Sequence, residues 1–120
     1  MVPGGRQLIQ SYGDGRFRIS GETFDGSVIV FPDQVVEWPV AAVANLSAAD
    51  LQLVLDHQPA VEILILGCGE KLAPTPAAVK HALVDTGIVL EPMDTGAACR
   101  TYNVLLGEGR RIAAALIAHD

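Results

Sequence analysis

A chain of 120 residues, half of them hydrophobic but only 5% aromatic, is the size of one domain with an aliphatic core. Its net charge of −6 and scattered basic residues, of which only Arg110 and Arg111 are adjacent, argue against binding a nucleic-acid backbone. No run approaches the ~20 apolar residues of a membrane span.

The start, Met1-Val2-Pro3-Gly4-Gly5-Arg6, lacks the apolar run of a signal peptide, so the chain reads as cytoplasmic with reduced thiols. Residues 1–12 read as a loose arm ending in the turn residues Gly13-Asp14-Gly15. Arg16 to Ile19 alternates polar and apolar, the period of a half-buried strand. After the Asp25-Gly26 turn comes a β-branched strand, Ser27 to Phe31. Pro32-Asp33 turns into a third, more exposed strand, Val35 to Trp38, which Pro39 ends.

Helices follow. Ser47-Ala48-Ala49-Asp50 has the form of a capping box, with Leu46 and Leu51 placed as its hydrophobic staple. This helix should run to about His57, burying Leu51, Val54 and Leu55. Val61 to Leu66 is an almost unbroken aliphatic strand, as expected of one buried on both faces. Thr75 as N-cap and Pro76 at the first helical position should open a second helix, closed by Gly87. Ile88 to Leu90 is the next strand. A helix capped by Asp94 and Thr95 runs to Leu106, and Arg110 to Ala118 is the last strand. This order predicts one domain over residues 1–120, α/β or α+β, with three layers and a mixed central sheet. Its N-terminal strand meander is followed by alternating helices and strands. Val61–Leu66 and Ile88–Leu90 should be parallel neighbours, because a helix crosses over between them.

Ligands of parallel sheets tend to sit beyond the carboxyl ends of the strands. Here that places a candidate ligand or partner crevice at Gly67, Cys68, Gly69, Met93, Asp94, Thr95, Cys99, Arg100 and Asn103. Glycines at 67 and 69 would let a partner approach the backbone closely. Yet the pattern is neither a dinucleotide fingerprint nor a phosphate loop. Cys99 lacks a nearby base, because His57 falls at the opposite end of the sheet, His81 lies mid-helix and His119 is penultimate in the chain. A buried thiol is the simpler reading. No Cys or His spacing suggests a metal site, and no cofactor is implied. Tyr102 should pack as core with its hydroxyl at the rim. Asn103, which a helix interior disfavours, should hold neighbouring chain by a side-chain hydrogen bond, near Gly67–Gly69 or the adjacent strand. Trp38 is suited either to anchor a protein partner or to close the core.

Asp94-Thr95, Ala98-Cys99, Thr101-Tyr102-Asn103, Leu105 and Glu108-Gly109-Arg110, together with Phe24 to Val28 and Ile63 to Gly69, resemble a known signature. It is that of the small domain family that includes mitochondrial complex I assembly factor 3 and uncharacterised prokaryotic proteins. The likeness spans about residues 10 to 118. It implies a three-layer fold with a mixed sheet and no established reaction. It also implies Thr where this chain has Cys68, and so gives that thiol no role. The function expected is a non-enzymatic protein-interaction or assembly module with a protein partner. The alternative is a small-molecule binder or enzyme using the crevice at Gly67–Gly69 and Asp94–Arg100.

Overall fold

In the computed structural model, which describes residues 6–119, the early strands are β1 (Ile9–Gly13), β2 (Arg16–Ile19), β3 (Glu22–Asp25), β4 (Val28–Phe31) and β5 (Gln34–Glu37). A 3-10 turn at Ala48–Leu51 leads into α1 (Gln52–Asp56). Then come β6 (Ile63–Gly67), α2 (Ala77–Leu83), β7 (Val89–Met93), α3 (Thr95–Gly107) and β8 (Ile112–Leu116).

The meander splits between two sheets. Strands β1, β2 and β3 form a small antiparallel sheet of their own, while β4 and β5 join a central sheet ordered β5-β4-β8-β6-β7. In that sheet β6 runs parallel to both β7 and β8, and β4 is antiparallel to β5 and β8, so it is mixed. Its middle strands are the most apolar: every residue of β4 and β8 is buried.

Alternation along the strands divides the core into two faces. Ile29, Phe31, Leu64, Leu66, Ala113 and Ala115 pack with Trp38, Leu51, Val54, Val79 and Leu83, beneath α1 and α2. Val28, Val30, Ile65, Ala114 and Leu116 face the other way, against Ala98, Cys99, Tyr102 and Leu106 of α3 and Ile9, Phe17 and Ile19 of the small sheet. These are the three layers expected. The side chains of β8 are mostly alanine, so its neighbours on both faces can come close to the sheet.

Several local expectations change. Residues 9–12 are not a loose arm: they belong to β1, paired with β2, and Ile9 is buried. The first part of the expected arm, residues 1–5, lies outside the described residues. Strand β3 pairs with β2 although most of its side chains are exposed. At Ser47–Asp50 the Asp50 carboxylate accepts from the Ser47 backbone N–H at 2.9 Å and from its hydroxyl at 3.0 Å. Leu46 and Leu51 are both buried there. Helix α2 opens on Pro76 as N-cap rather than Thr75, and ends at Leu83 with Val84 as C-cap. Gly87, at φ +81°, therefore serves the turn beyond the helix. Trp38 closes the core: it is 5% exposed and its indole N–H donates to the Asp50 carbonyl at 2.8 Å.

Candidate functional site

The carboxyl ends of β6, β7 and β8 meet the start of α3, where the crevice was expected. The Cys68 N–H donates to the Met93 carbonyl at 2.8 Å, Thr95 N–H to the Gly69 carbonyl at 2.8 Å, and Ile117 N–H to the Gly67 carbonyl at 3.0 Å. The Thr95 hydroxyl bridges the junction. It accepts from the Gly69 N–H at 2.9 Å and donates to the Ile117 carbonyl at 2.7 Å, with the residue wholly buried. Gly67 is required here by space. A Cβ on it would sit 3.0 Å from the Leu116 and Thr95 side chains and 3.2 Å from the Thr95 backbone. Gly69 is required by conformation, at φ +101°. Gly67, Cys68, Gly69, Met93 and Thr95 are thus brought together, but as a knot of backbone and hydroxyl bonds.

Asp94 caps α3, its carboxylate accepting from the Ala97 N–H at 2.9 Å. Thr95, expected to share that work, is the first helical residue and does the bridging instead.

The rest of the signature points elsewhere. Cys99 faces the sheet, 2% exposed, and burial pushes its thiol up to about 12 against the pull of Arg100. A thiol so protonated is a poor nucleophile near neutral pH. Cys68 belongs to the core on the opposite face of the sheet, so the two free thiols are separated by a layer of strand. Tyr102 is fully buried, and burial raises its hydroxyl above the ordinary range; the O–H donates to the Gln7 carbonyl at 2.9 Å. Asn103 does bond backbone, but not where expected. It grips Ile9 twice, accepting its N–H at 3.0 Å and donating to its carbonyl at 2.7 Å. The amide thereby continues the ladder of β1 onto α3. Arg100 is exposed and donates to the Tyr12 hydroxyl at 3.0 Å.

Glu108-Gly109-Arg110 ends α3. The Gly109 N–H donates to the Leu106 carbonyl and the Arg110 N–H to the Leu105 carbonyl, with Gly109 at φ +73°. This is a Schellman turn. It swings Arg110 and Arg111 to the amino ends of β6 and β8, a region where sequence reasoning placed only His57.

A cleft of about 350 Å³ lies there, lined by Arg6, Asp33, His57, Arg110 and Arg111 among others. The His57 ring stacks on Phe31 with centroids 4.3 Å apart, and its Nε2 lies 3.3 Å from the Asp33 carboxylate. Arg110 Nε donates to Glu62 at 2.9 Å. That bond and the Arg111 backbone N–H hold the Glu62 carboxyl below its ordinary range. Besides His57, the Arg110-Arg111 doublet is the sequence signal that points to this place. Among the described residues no group of three or more His, Cys, Asp or Glu is placed to hold a metal ion.

Residues 9–117 match a family described as a protein of unknown function (DUF498/DUF598). The chain is 37% identical over 110 residues to a Danio rerio protein named NADH dehydrogenase [ubiquinone] 1 alpha subcomplex assembly factor 3. That match covers 92% of this chain but 63% of the relative, so the chain spans under two thirds of the relative's length. Among solved structures, one titled an outer membrane protein from Bartonella henselae is 34% identical, with a TM-score of 0.89 and full coverage of both chains. A Bordetella pertussis protein titled a Mth938-like domain is 28% identical, with a TM-score of 0.82, covering 96% of this chain and 87% of that one.

Proposed function

This chain belongs to the DUF498/DUF598 family, and on that premise we propose that it is a non-enzymatic protein-interaction module serving assembly of a larger complex. The observation that carries the reading is the fate of the polar groups on α3. Asp94, Thr95, Tyr102 and Asn103 all bind the chain's own backbone, and the Cys99 thiol is buried and protonated. Such an arrangement fixes a shape and leaves no prepared nucleophile–base pair. The printed name of the Danio rerio relative, an assembly factor, supports the same reading. Of the residues of the expected crevice, Arg100 is the one we assign to partner contact. It lies exposed beside Tyr12, one helical turn from Val104, which is 61% exposed.

Affinity capture of the tagged chain from its own cells, followed by crosslinking, tests this. The reading expects a defined protein partner whose crosslinks fall around Arg100 and Val104, and whose capture Arg100→Glu with Val104→Glu abolishes. A chain recovered alone, or a partner indifferent to that substitution, would contradict it. We assign the module to the cytoplasm. Among the described residues no helix is long and apolar enough to cross a membrane. Recovery in the envelope fraction, as the name of the Bartonella henselae relative would suggest, would overturn that placement.

A further inference from the structure

We infer that the cleft at the amino ends of β6 and β8 binds a small organic carboxylate with an apolar body. The chain holds eight Lys and Arg residues against fourteen Asp and Glu. Three of those eight, Arg6, Arg110 and Arg111, converge on this one hollow from opposite ends of the sequence. Against the overall charge, that is a local concentration of guanidinium groups.

Their pairing is incomplete. Arg110 is held by Glu62 at 2.9 Å, whereas among the described residues neither Arg6 nor Arg111 forms an ion pair. The Nε of Arg6 is buried and has no hydrogen-bond partner there. Buried polar groups in folded proteins are nearly always bonded, and a buried guanidinium N–H left unbonded is costly. An incoming carboxylate can pair with the guanidinium groups that line the cleft, in the planar, two-oxygen geometry they match best.

The rest of the cleft selects the kind of acid. Pro32, Val61 and Ile112 give it apolar walls, suited to a hydrocarbon body rather than to a bare inorganic ion. Asp33 also lines it, beside His57, and repels a second negative charge. A volume of about 350 Å³ fits a molecule at the small end of ordinary ligands. A monocarboxylate with a short aliphatic or aromatic tail meets all three conditions.

Amide chemical-shift titration of the intact chain tests the assignment, with hexanoate and benzoate as probes and 1-hexanol and inorganic phosphate as controls. Saturable shifts with either carboxylate should centre on Val61 and Gly109 to Ile112. Neither control should reproduce them. Arg6→Gln with Arg111→Gln should keep the dispersed spectrum of the folded chain and weaken carboxylate binding roughly tenfold or more, as expected for loss of charged hydrogen bonds. Four results would overturn the inference: no saturable shift with either carboxylate, equal shifts with hexanol, equal shifts with phosphate, or unchanged affinity in the folded double variant. Arg111→Gln alone provides the same reading if the double variant loses its fold, since that side chain is exposed.

Discussion

The two ends of the central sheet differ in what their polar groups do. At the carboxyl ends of β6 and β7, Thr95, Gly67 and Gly69 leave no room between strand and helix, and the polar atoms bond one another. At the amino ends, Arg6, Arg111 and His57 surround an open hollow, and part of their bonding capacity is unused. The crevice expected beyond β6 and β7 is filled at the Gly67–Thr95 junction, whereas the hollow between Arg6, His57 and Arg111 stays open. A rule about strand ends describes where loops leave room. Here the loop after β6 closes its junction with α3 by bonding to it, and the Schellman turn after α3 shapes the hollow at the other end.

Substitutions should separate the two ends by their cost in stability. The largest loss is expected from Gly67→Val. Its branched side chain must displace the Thr95 backbone as well as two side chains, and overpacking of that kind should lower stability by about 3 kcal/mol or more. A urea midpoint near that of the parent chain would mean the junction yields easily, and the contrast between the ends would weaken.

Asn103→Leu comes next. It strands the N–H and carbonyl of Ile9, both partly buried, and should cost roughly 1–3 kcal/mol. Faster hydrogen exchange in β1 should accompany it, because Asn103 ties that strand to α3. A variant as stable as the parent would move Asn103 from structure to partner binding. Asp94→Ala removes one capping bond and should cost about 1 kcal/mol, with the melting curve still cooperative.

The smallest effect belongs to the open end. Arg110→Gln breaks a surface pair whose side chains are 42% and 35% exposed, for which only a marginal loss of stability is expected. The sign with pH follows from Glu62, whose carboxyl is held low mainly by the Arg110 bond. A carboxyl with a depressed folded pKa contributes stability above its unfolded pKa and loses it as pH falls through the folded value. Parent and variant should therefore converge in acid. A difference that persists there, or grows, would show that Arg110 acts through something other than Glu62.

Much of this fold was legible in the chain because its signals were local. Arg16–Ile19 alternated, Val61–Leu66 was continuously aliphatic, and Ser47 and Asp50 stood three apart. Each of these segments carries its own period or cap. Strands β1 and β3 were missed because Ile-Gln-Ser-Tyr-Gly and Glu-Thr-Phe-Asp each leave most side chains in water. They are strands by pairing with β2, and pairing is not written in either segment alone. Helix α2 stops before its apparent glycine stop because Val84 takes an extended conformation.

The site was legible in the same uneven way. Asn103 was conspicuous as a polar residue inside a helix, and it does hold backbone. Its partner, Ile9, lies 94 residues away, beyond the reach of any local pattern. Thr95 looked like half of a cap, and its real role depends on three segments meeting. Arg6 and Arg111 come together only through the fold, so His57 and the Arg110-Arg111 doublet were the only local signals at that end.

Thr95 tests the central claim most directly, since its single hydroxyl bridges the junction of β6, α3 and the chain after β8. Thr95→Val keeps the shape and removes the hydroxyl, leaving the Gly69 N–H and the Ile117 carbonyl without their shared partner. Thr95→Ser keeps the hydroxyl and removes one methyl. Denaturation of the two side by side should show Thr95→Val the less stable, by about 1–3 kcal/mol, with Thr95→Ser close to the parent chain. A valine variant as stable as the parent, or more so, would contradict the account, because the hydroxyl would then be kept for something other than holding this junction together.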